Sequence, residues 1–204
     1  MKPDTDYKKR DILLKAAKEE FIKNGYCKAS LRTICSKAGV TTGALYFFFE
    51  NKAELFAAIV DPPLNELKNL LTTYFTEDAK YLASVNSLDE IEENRNNASE
   101  LFTKCIYKNK DVFRLLLTRS DNTVYENTID DLANLIEGLI PSIVAAVPGY
   151  TYDQFMLEFM AHLSLDSYIN VIRREPDEKK AAEKLRQITH YLVRGWVKLV
   201  VVKE

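Results

Sequence analysis

Glycine and proline are scarce in this chain, six of each among 204 residues. Leu, Ala, Glu and Lys are common, and that balance favours an all-helical protein. No apolar run reaches the roughly 18 residues that a membrane span needs, so no membrane partner is expected. The opening MKPDTDYKKRD is charged and leads straight into a helical pattern, with no visible signal peptide. The expected location is the cytoplasm. Cysteine is also sparse: Cys27, Cys35 and Cys105 show no CxxC spacing and make an odd number. Structural disulfides are not expected in a reducing compartment. The three read as small buried apolar residues, with a redox sensor as the sharper alternative. Catalytic signatures are missing too. There is no nucleophile–base pair, no HExxH, no Gly-rich phosphate loop and no metal-ligand cluster, and His162 and His190 stand alone on predicted helices. Neither an enzyme nor a bound cofactor or metal is expected.

What is present is a core and a charge asymmetry. Apolar residues make up 47% of the chain, enough for one large domain or a small one joined to a larger. The net charge of −2 divides unevenly. Residues 1–52 hold eleven Lys/Arg against six Asp/Glu, a net +5, and the remainder is net −7. A basic head on an acidic body suggests that the head meets a polyanion.

Residues 5–24 have the rhythm of one helix, with Ile12, Leu13, Ala16, Ala17, Glu20 and Phe21 on one face. Gly25 sits where a C-terminal cap belongs. Ser30 can cap a second, short helix that buries Leu31, Ile34, Cys35 and Ala38 and ends at Gly39. Thr41 can cap a third. Asn51-Lys52-Ala53-Glu54 has the form of a capping box, so a fourth helix starts there and reaches Pro62-Pro63. Beyond lie amphipathic helices: 63–77 or on to 85, a helix opened by Ser87-Leu88-Asp89-Glu90 and running to about Tyr107, a short piece capped by Asp111, residues 121–147 with a bend at Pro141, a helix opened by Thr151 and running to about Arg174, and 177 to about 202. No strand is expected, and LVVVK near the end is read as helix.

Helix 30–37, the turn at Ala38-Gly39-Val40 and helix 42–48 fit a helix-turn-helix. In such a unit the N-terminal residues of the second helix face base edges in the DNA major groove. Thr41 and Thr42 offer hydroxyls, Gly43 lets backbone approach, and Ala44 is small. Leu45 and Phe49, four apart, share the core face, and Tyr46 projects beside Thr42 and Gly43. Phe47 and Phe48 are left open: one pressing on sugar or a thymine methyl, the other packing on the first helix. The bland alternative puts all four aromatics in core or dimer packing.

The segment from Arg10 to Leu55 resembles the DNA-binding domain of the TetR family of bacterial transcriptional regulators. The pattern is R-x-I-L-x-A-A at 10–17, F-x-x-x-G-Y at 21–26, S-L-R-x-I at 30–34 and K-A-G-V-T-T-G-A-L-Y-x-F-F-x-N-K-x-E-L at 37–55. The resemblance implies an all-α protein of about nine helices. Residues 1–52 would form the three-helix DNA-binding domain, with the helix-turn-helix at about 30–49. Residues 53–204 would form a larger helical ligand-binding and dimerisation domain.

By the same resemblance the protein is a homodimeric repressor on a pseudo-palindromic double-stranded DNA operator, released by a small hydrophobic or aromatic inducer. The family's DNA contacts map onto Ser30, Arg32, Thr33, Thr41, Thr42, Gly43, Tyr46, Phe47, Phe48 and Lys52. Two departures stand out. Phe48 occupies a position that is often histidine or another polar residue, and Cys35 replaces a usual alanine. Candidate pocket residues on the body helices are Tyr74, Phe102, Tyr107, Phe113, Leu116, Phe155 and His162. The last two helices would pair with their copies through Phe159, Leu163, Asp166, Ile169, Tyr191, Arg194, Gly195, Lys198 and Val202. Two rival readings are a helical protein-interaction module and a redox-responsive regulator acting through Cys35.

Overall fold

The computed structural model describes residues 3–85 and 98–203. Among these residues are nine helices and two short strands. The helices are α1 (Pro3–Lys28), α2 (Leu31–Ala38), α3 (Thr42–Phe48), α4 (Lys52–Val85), α5 (Ala98–Lys108), α6 (Lys110–Thr118), α7 (Thr128–Val144), α8 (Gln154–Arg174) and α9 (Glu178–Leu199). Strand β1 (Tyr150–Tyr152) precedes α8, and β2 (Val201–Lys203) follows α9. The protein is therefore all-α apart from one small two-stranded pairing. No helix among the described residues is long and apolar enough to cross a membrane.

The chain forms two compact units. The first extends to Asn65 and takes in Asn109–Thr128, so the unit that carries the first three helices is larger than residues 1–52. Its core is built by Leu13, Ala17 and Phe21 of α1, Ile34 of α2, Leu45 of α3, and Leu55, Phe56 and Val60 of α4, all fully buried. Burying the larger of these side chains, Val, Leu, Ile and Phe, stabilises by about 1.5–3 kcal/mol each. Phe56 gathers an aromatic cluster: Phe21 and Tyr26 meet it at 5.1 Å and Tyr125 at 5.7 Å between ring centroids. Ile12, expected on the buried face of α1, is half exposed (50%). It lies one step outside the stripe set by Leu13, Ala17 and Phe21.

Gly25 interrupts α1 with φ 75° and ψ 168°, a region essentially restricted to glycine. The segment after α6 docks on this break. The Tyr26 N–H donates to the Arg119 carbonyl at 3.0 Å. Arg119 Nη1 in turn donates to the carbonyls of Ile22 (3.1 Å) and Lys23 (3.0 Å), which the interruption of the helix leaves free for a partner.

The second unit comprises the described residues of Glu66–Lys108 and Ile129–Glu204. Its core joins Leu82 of α4 with Ile136, Ile140 and Val144 of α7, Leu157 and Met160 of α8, and Leu192 and Val193 of α9. Trp196 Nε1 donates to Ser164 Oγ at 3.0 Å, and the Tyr107 hydroxyl donates to the Glu175 carbonyl at 2.6 Å.

Several element boundaries differ from the sequence reading. Helix α4 does not stop at Pro62-Pro63 but runs through both. A proline inside a helix lacks the N–H that would bond four residues back. Here Val60, Pro63, Leu64 and Leu67 are all buried, and that packing keeps the helix continuous. Residues 121–127 are turns, so α7 starts at Thr128. Asn122 takes φ 60°, and the hydroxyls of Ser120, Thr123 and Thr128 bond nearby carbonyls in competition with a helix. Asn109 rather than Asp111 holds the cap position of α6, and Asp111 lies in its first turn. Asp153 rather than Thr151 caps α8, accepting the Met156 N–H at 2.9 Å. Thr151 lies in β1, paired with Val202 of β2, which corrects the helical reading of the chain's end. The capping box at Ser87–Glu90 lies outside the described residues.

Candidate nucleic-acid interface

Local chemistry fixes both ends of α2 and the start of α3. Ser30 Oγ accepts the Thr33 N–H at 3.4 Å and caps α2. Gly39 closes α2 in the left-handed region, φ 65°, with its N–H bonded to the carbonyls of the last turn. Two residues on, Thr41 Oγ1 accepts the Ala44 N–H at 3.2 Å and caps α3. One residue after the helix, Phe49 returns its N–H to the Leu45 carbonyl at 3.0 Å.

Packing then decides which face α3 shows. Leu45 and Phe49 are buried, and the Arg10 guanidinium lies over the Phe49 ring at 5.4 Å. Thr42, Gly43, Tyr46 and Phe47, spaced i, i+1, i+4 and i+5, are left on the other side. All four are exposed, Tyr46 by 55% and Phe47 by 68%. A Cβ added at Gly43 would meet only Thr41 Oγ1, at 3.8 Å, so a ligand can approach this backbone closely. Phe48 is half-buried and meets Phe47 edge-on, with centroids 5.0 Å apart. The open question about the two rings is thus settled for position: Phe47 faces out, and Phe48 stands behind it.

A buried carboxylate ties α1 to α2. Glu20 is 3% exposed, and its carboxylate accepts from Lys37 Nζ at 2.8 Å and from Asn24 Nδ2 at 2.7 Å. The Lys37 hydrogen bond holds its pKa below the usual carboxylate value, against the opposing effect of burial. The sequence rhythm places Glu20 on the buried face of α1 but does not show its partner on α2.

Arg32, Thr33, Thr41 and Thr42 are exposed on the same unit, as is Ser30, whose hydroxyl is already used as a cap acceptor. Lys52, expected as a DNA contact, has partners within the chain. It is half-buried, its Nζ donates to the Cys27 carbonyl at 3.3 Å and lies over the Tyr26 ring at 4.8 Å, and burial lowers its pKa. The predicted cap beside it is present: Asn51 Oδ1 accepts the Glu54 N–H at 2.9 Å, and the Glu54 carboxylate accepts the Glu50 N–H.

The other candidate residues are divided between the two units. Phe113 and Leu116 are buried in the first unit. Tyr74, Phe102 and Tyr107 belong to the second, where the Tyr74 and Phe102 rings meet edge-on at 5.6 Å. Phe155 and His162 are exposed rather than in a pocket of this chain. Phe155, 71% exposed, stacks on Phe159 at 6.4 Å. Of the residues expected between two copies, Phe159, Leu163, Asp166, Tyr191 and Lys198 are exposed. Ile169 is buried in its own chain, and Val202 lies on β2 rather than on a helix. Arg194 lies on α9, and its side chain is outside the described ones. A Cβ added at Gly195 would touch Met160 Cε of α8 at 3.5 Å. Among the cysteines, Cys35 and Cys105 are buried and burial pushes both thiols up, whereas Cys27 is exposed, contrary to the expectation for all three. Sequence reasoning missed Arg119 and Tyr125. The Ser120-Asp121-Asn122-Thr123 run beside them is a turn signal that was legible.

Comparison with known proteins agrees with this geometry. Residues 13–59 match the family model described as bacterial regulatory proteins, tetR family. The HTH-type transcriptional regulator TtgR of Pseudomonas putida is 45% identical over 52 residues, 26% of this chain and 25% of TtgR. The chain's match thus spans about a quarter of that relative's length. Among solved structures, a transcriptional regulator from Aquifex aeolicus superposes with a TM-score of 0.63 at 21% identity, covering 90% of this chain and 99% of that one. SmeT, the repressor of the Stenotrophomonas maltophilia multidrug efflux pump SmeDEF, gives 0.62 at 18% identity, covering 95% and 90%. SmeT in complex with triclosan gives 0.64 at 18% identity, covering 96% and 92%. Residues 13–59 are thus similar in sequence to the tetR family of bacterial regulatory proteins, and nearly the whole chain is similar in fold to these solved structures.

Proposed function

We propose that this protein is a cytoplasmic, homodimeric transcriptional repressor that binds a pseudo-palindromic DNA operator and leaves it when a small hydrophobic ligand binds. The observation that carries the reading is the exposed Thr42, Gly43, Tyr46 and Phe47 face of α3, held outward by the burial of Leu45 and Phe49. Two short helices joined at Gly39 present that face in the manner of a recognition helix. The net +5 of residues 1–52 supplies the attraction to phosphate.

A dimer is supported by a row of exposed apolar side chains on α8. Phe155, Phe159 and Leu163 recur every fourth residue, and Tyr191 and Leu199 are exposed on α9. Contiguous apolar exposure of this kind marks an association surface. Two copies related by a two-fold axis would present two recognition helices to successive major grooves. Ligand release then needs a conformation that binds ligand better and in which those helices no longer match the grooves. Helix α4, which starts beside α3 and runs on to Val85, belongs in part to each unit and is the element through which we expect the change to pass. A hydrophobic inducer is favoured by the aromatic side chains Tyr74, Phe102 and Tyr107 in the second unit, and by the triclosan complex of SmeT.

The test is selection of bound duplexes from a random-sequence pool, followed by fluorescence anisotropy against scrambled DNA over a salt series. Saturable, sequence-selective binding that weakens with salt is expected. Failure to enrich any sequence would overturn the reading.

A further inference from the structure

The exposed face of α3 has an unusual chemistry for a surface that reads bases. Helix α3 is TGALYFF, with no Arg, Lys, Asn, Gln, Asp or Glu on it. Those are the side chains that read guanine, adenine and cytosine by hydrogen bonds in the major groove. What α3 offers is the Thr42 hydroxyl, the Tyr46 phenol and an outward phenyl ring at Phe47. Thr41 Oγ1 is already used as the acceptor of the helix cap. Only one base-edge group in the major groove is apolar, the 5-methyl of thymine.

Phe47 is suited to that group in three ways. It is 68% exposed, the most exposed ring in the helix-turn-helix. Its orientation is buttressed, since Phe48 is half-buried and meets it edge-on at 5.0 Å with an interplanar angle of 83°. It also lies one turn after Gly43, whose missing Cβ leaves the backbone there open to close approach. An exposed phenyl in water gains from covering an apolar partner and loses if it is set against a polar base edge.

We infer that Phe47 is a specificity-determining residue that reads thymine through its 5-methyl group, so each operator half-site carries a thymine opposite Phe47. The inference deepens the proposed function and rests on it. It fixes the kind of readout: apolar contact with a methyl in place of a bidentate hydrogen bond. A thymine methyl buried in this way stabilises by about the worth of one methylene, ~0.8 kcal/mol, or about fourfold in affinity per half-site.

The experiment uses the full-length protein and the duplex enriched from a random pool. Each thymine is replaced in turn, symmetrically in both half-sites, by deoxyuridine. That removes the methyl and leaves every hydrogen-bonding group in place. Anisotropy is read for the wild type, Phe47→Ala and Phe47→Leu. The expected result is one thymine per half-site whose replacement weakens wild-type binding about fourfold per half-site. The penalty disappears in Phe47→Ala and persists in Phe47→Leu, which keeps an apolar tip. Thermal unfolding of both variants matches the wild type, because the side chain is exposed. A selected sequence without thymine at a common half-site position overturns the inference, as does a deoxyuridine penalty that survives in Phe47→Ala. Either result leaves the DNA-binding reading standing. If no sequence is enriched at all, the DNA-binding reading falls and this inference falls with it.

Discussion

The Glu20 carboxylate, buried on α1, accepts a hydrogen bond from Lys37 Nζ on α2 at 2.8 Å. It is a polar tie between the first helix and the helix-turn-helix. Replacing Lys37 with Met leaves Glu20 buried with Asn24 as its remaining side-chain partner. The expected cost is about 1–2 kcal/mol, the range for a buried polar group deprived of a partner, reduced because Lys37 is partly solvated. Denaturant unfolding of Lys37→Met measures it.

The same pair gives a pH dependence. The Glu20 pKa in the folded protein lies below its ordinary value, chiefly through the Lys37 hydrogen bond. The unfolded chain therefore binds this proton first as pH falls. The contribution to stability is fully present above the ordinary glutamate range near 4.5 and is lost as pH drops through the lower folded value. Unfolding free energy measured from neutral to acid pH should fall less in Glu20→Gln than in the wild type.

Arg119 caps the carbonyls of Ile22 and Lys23 beside the break at Gly25. Arg119→Ala is expected to cost about 0.5–1.5 kcal/mol, the net worth of an ordinary hydrogen bond, since the side chain is exposed. Gly25→Ala is expected to cost more, about 1–3 kcal/mol, because its backbone conformation is strained for any other residue. The new Cβ would also lie 3.2 Å from the Arg119 Cβ. Thermal unfolding of the two variants should preserve that order.

Thiol labelling tests the cysteine assignments. Cys27 is exposed, while Cys35 and Cys105 are buried with thiols shifted up by desolvation. The thiolate is the reacting form, so both features slow the buried pair. Native protein should take up one iodoacetamide per chain, at Cys27, and three after denaturation. Rapid native labelling of Cys35 would revive the redox-responsive reading.

The proposed dimer predicts that Phe159→Glu lowers the mass seen by sedimentation equilibrium from two chains to one. Phe159 is exposed in the single chain and stacks on Phe155, so the substitution spares the chain's own core. An unchanged mass would move the association surface elsewhere.

The first unit's helices were legible because short-range chemistry specifies them. Ser30, Gly39, Thr41 and Asn51 each sit where a helix end needs a cap or a left-handed turn, and each serves there. The exposed face of α3 followed from the four-residue spacing of Leu45 and Phe49. Where packing between distant segments decides, the reading failed. Pro62-Pro63 has the local form of a stop, but burial around Pro63 carries α4 through. Val201–Lys203 keeps an apolar rhythm that suits a helix, yet it pairs with Tyr150–Tyr152, a partner some fifty residues away that no local pattern reveals. The partners of Lys52, the Cys27 carbonyl and the Tyr26 ring, likewise lie outside any local pattern.

Fluorescence anisotropy of the wild type and Tyr46→Ala on the selected duplex, set against scrambled DNA from ~50 to ~200 mM salt, tests the central claim most directly. Tyr46 is exposed, so its loss leaves the fold intact. The account predicts binding at least ~10³-fold tighter to the selected duplex than to scrambled DNA, falling linearly in log affinity with log salt. It also predicts a loss of about 10-fold or more in Tyr46→Ala, the scale of one good base contact. Equal affinity for both duplexes at every salt concentration would contradict it.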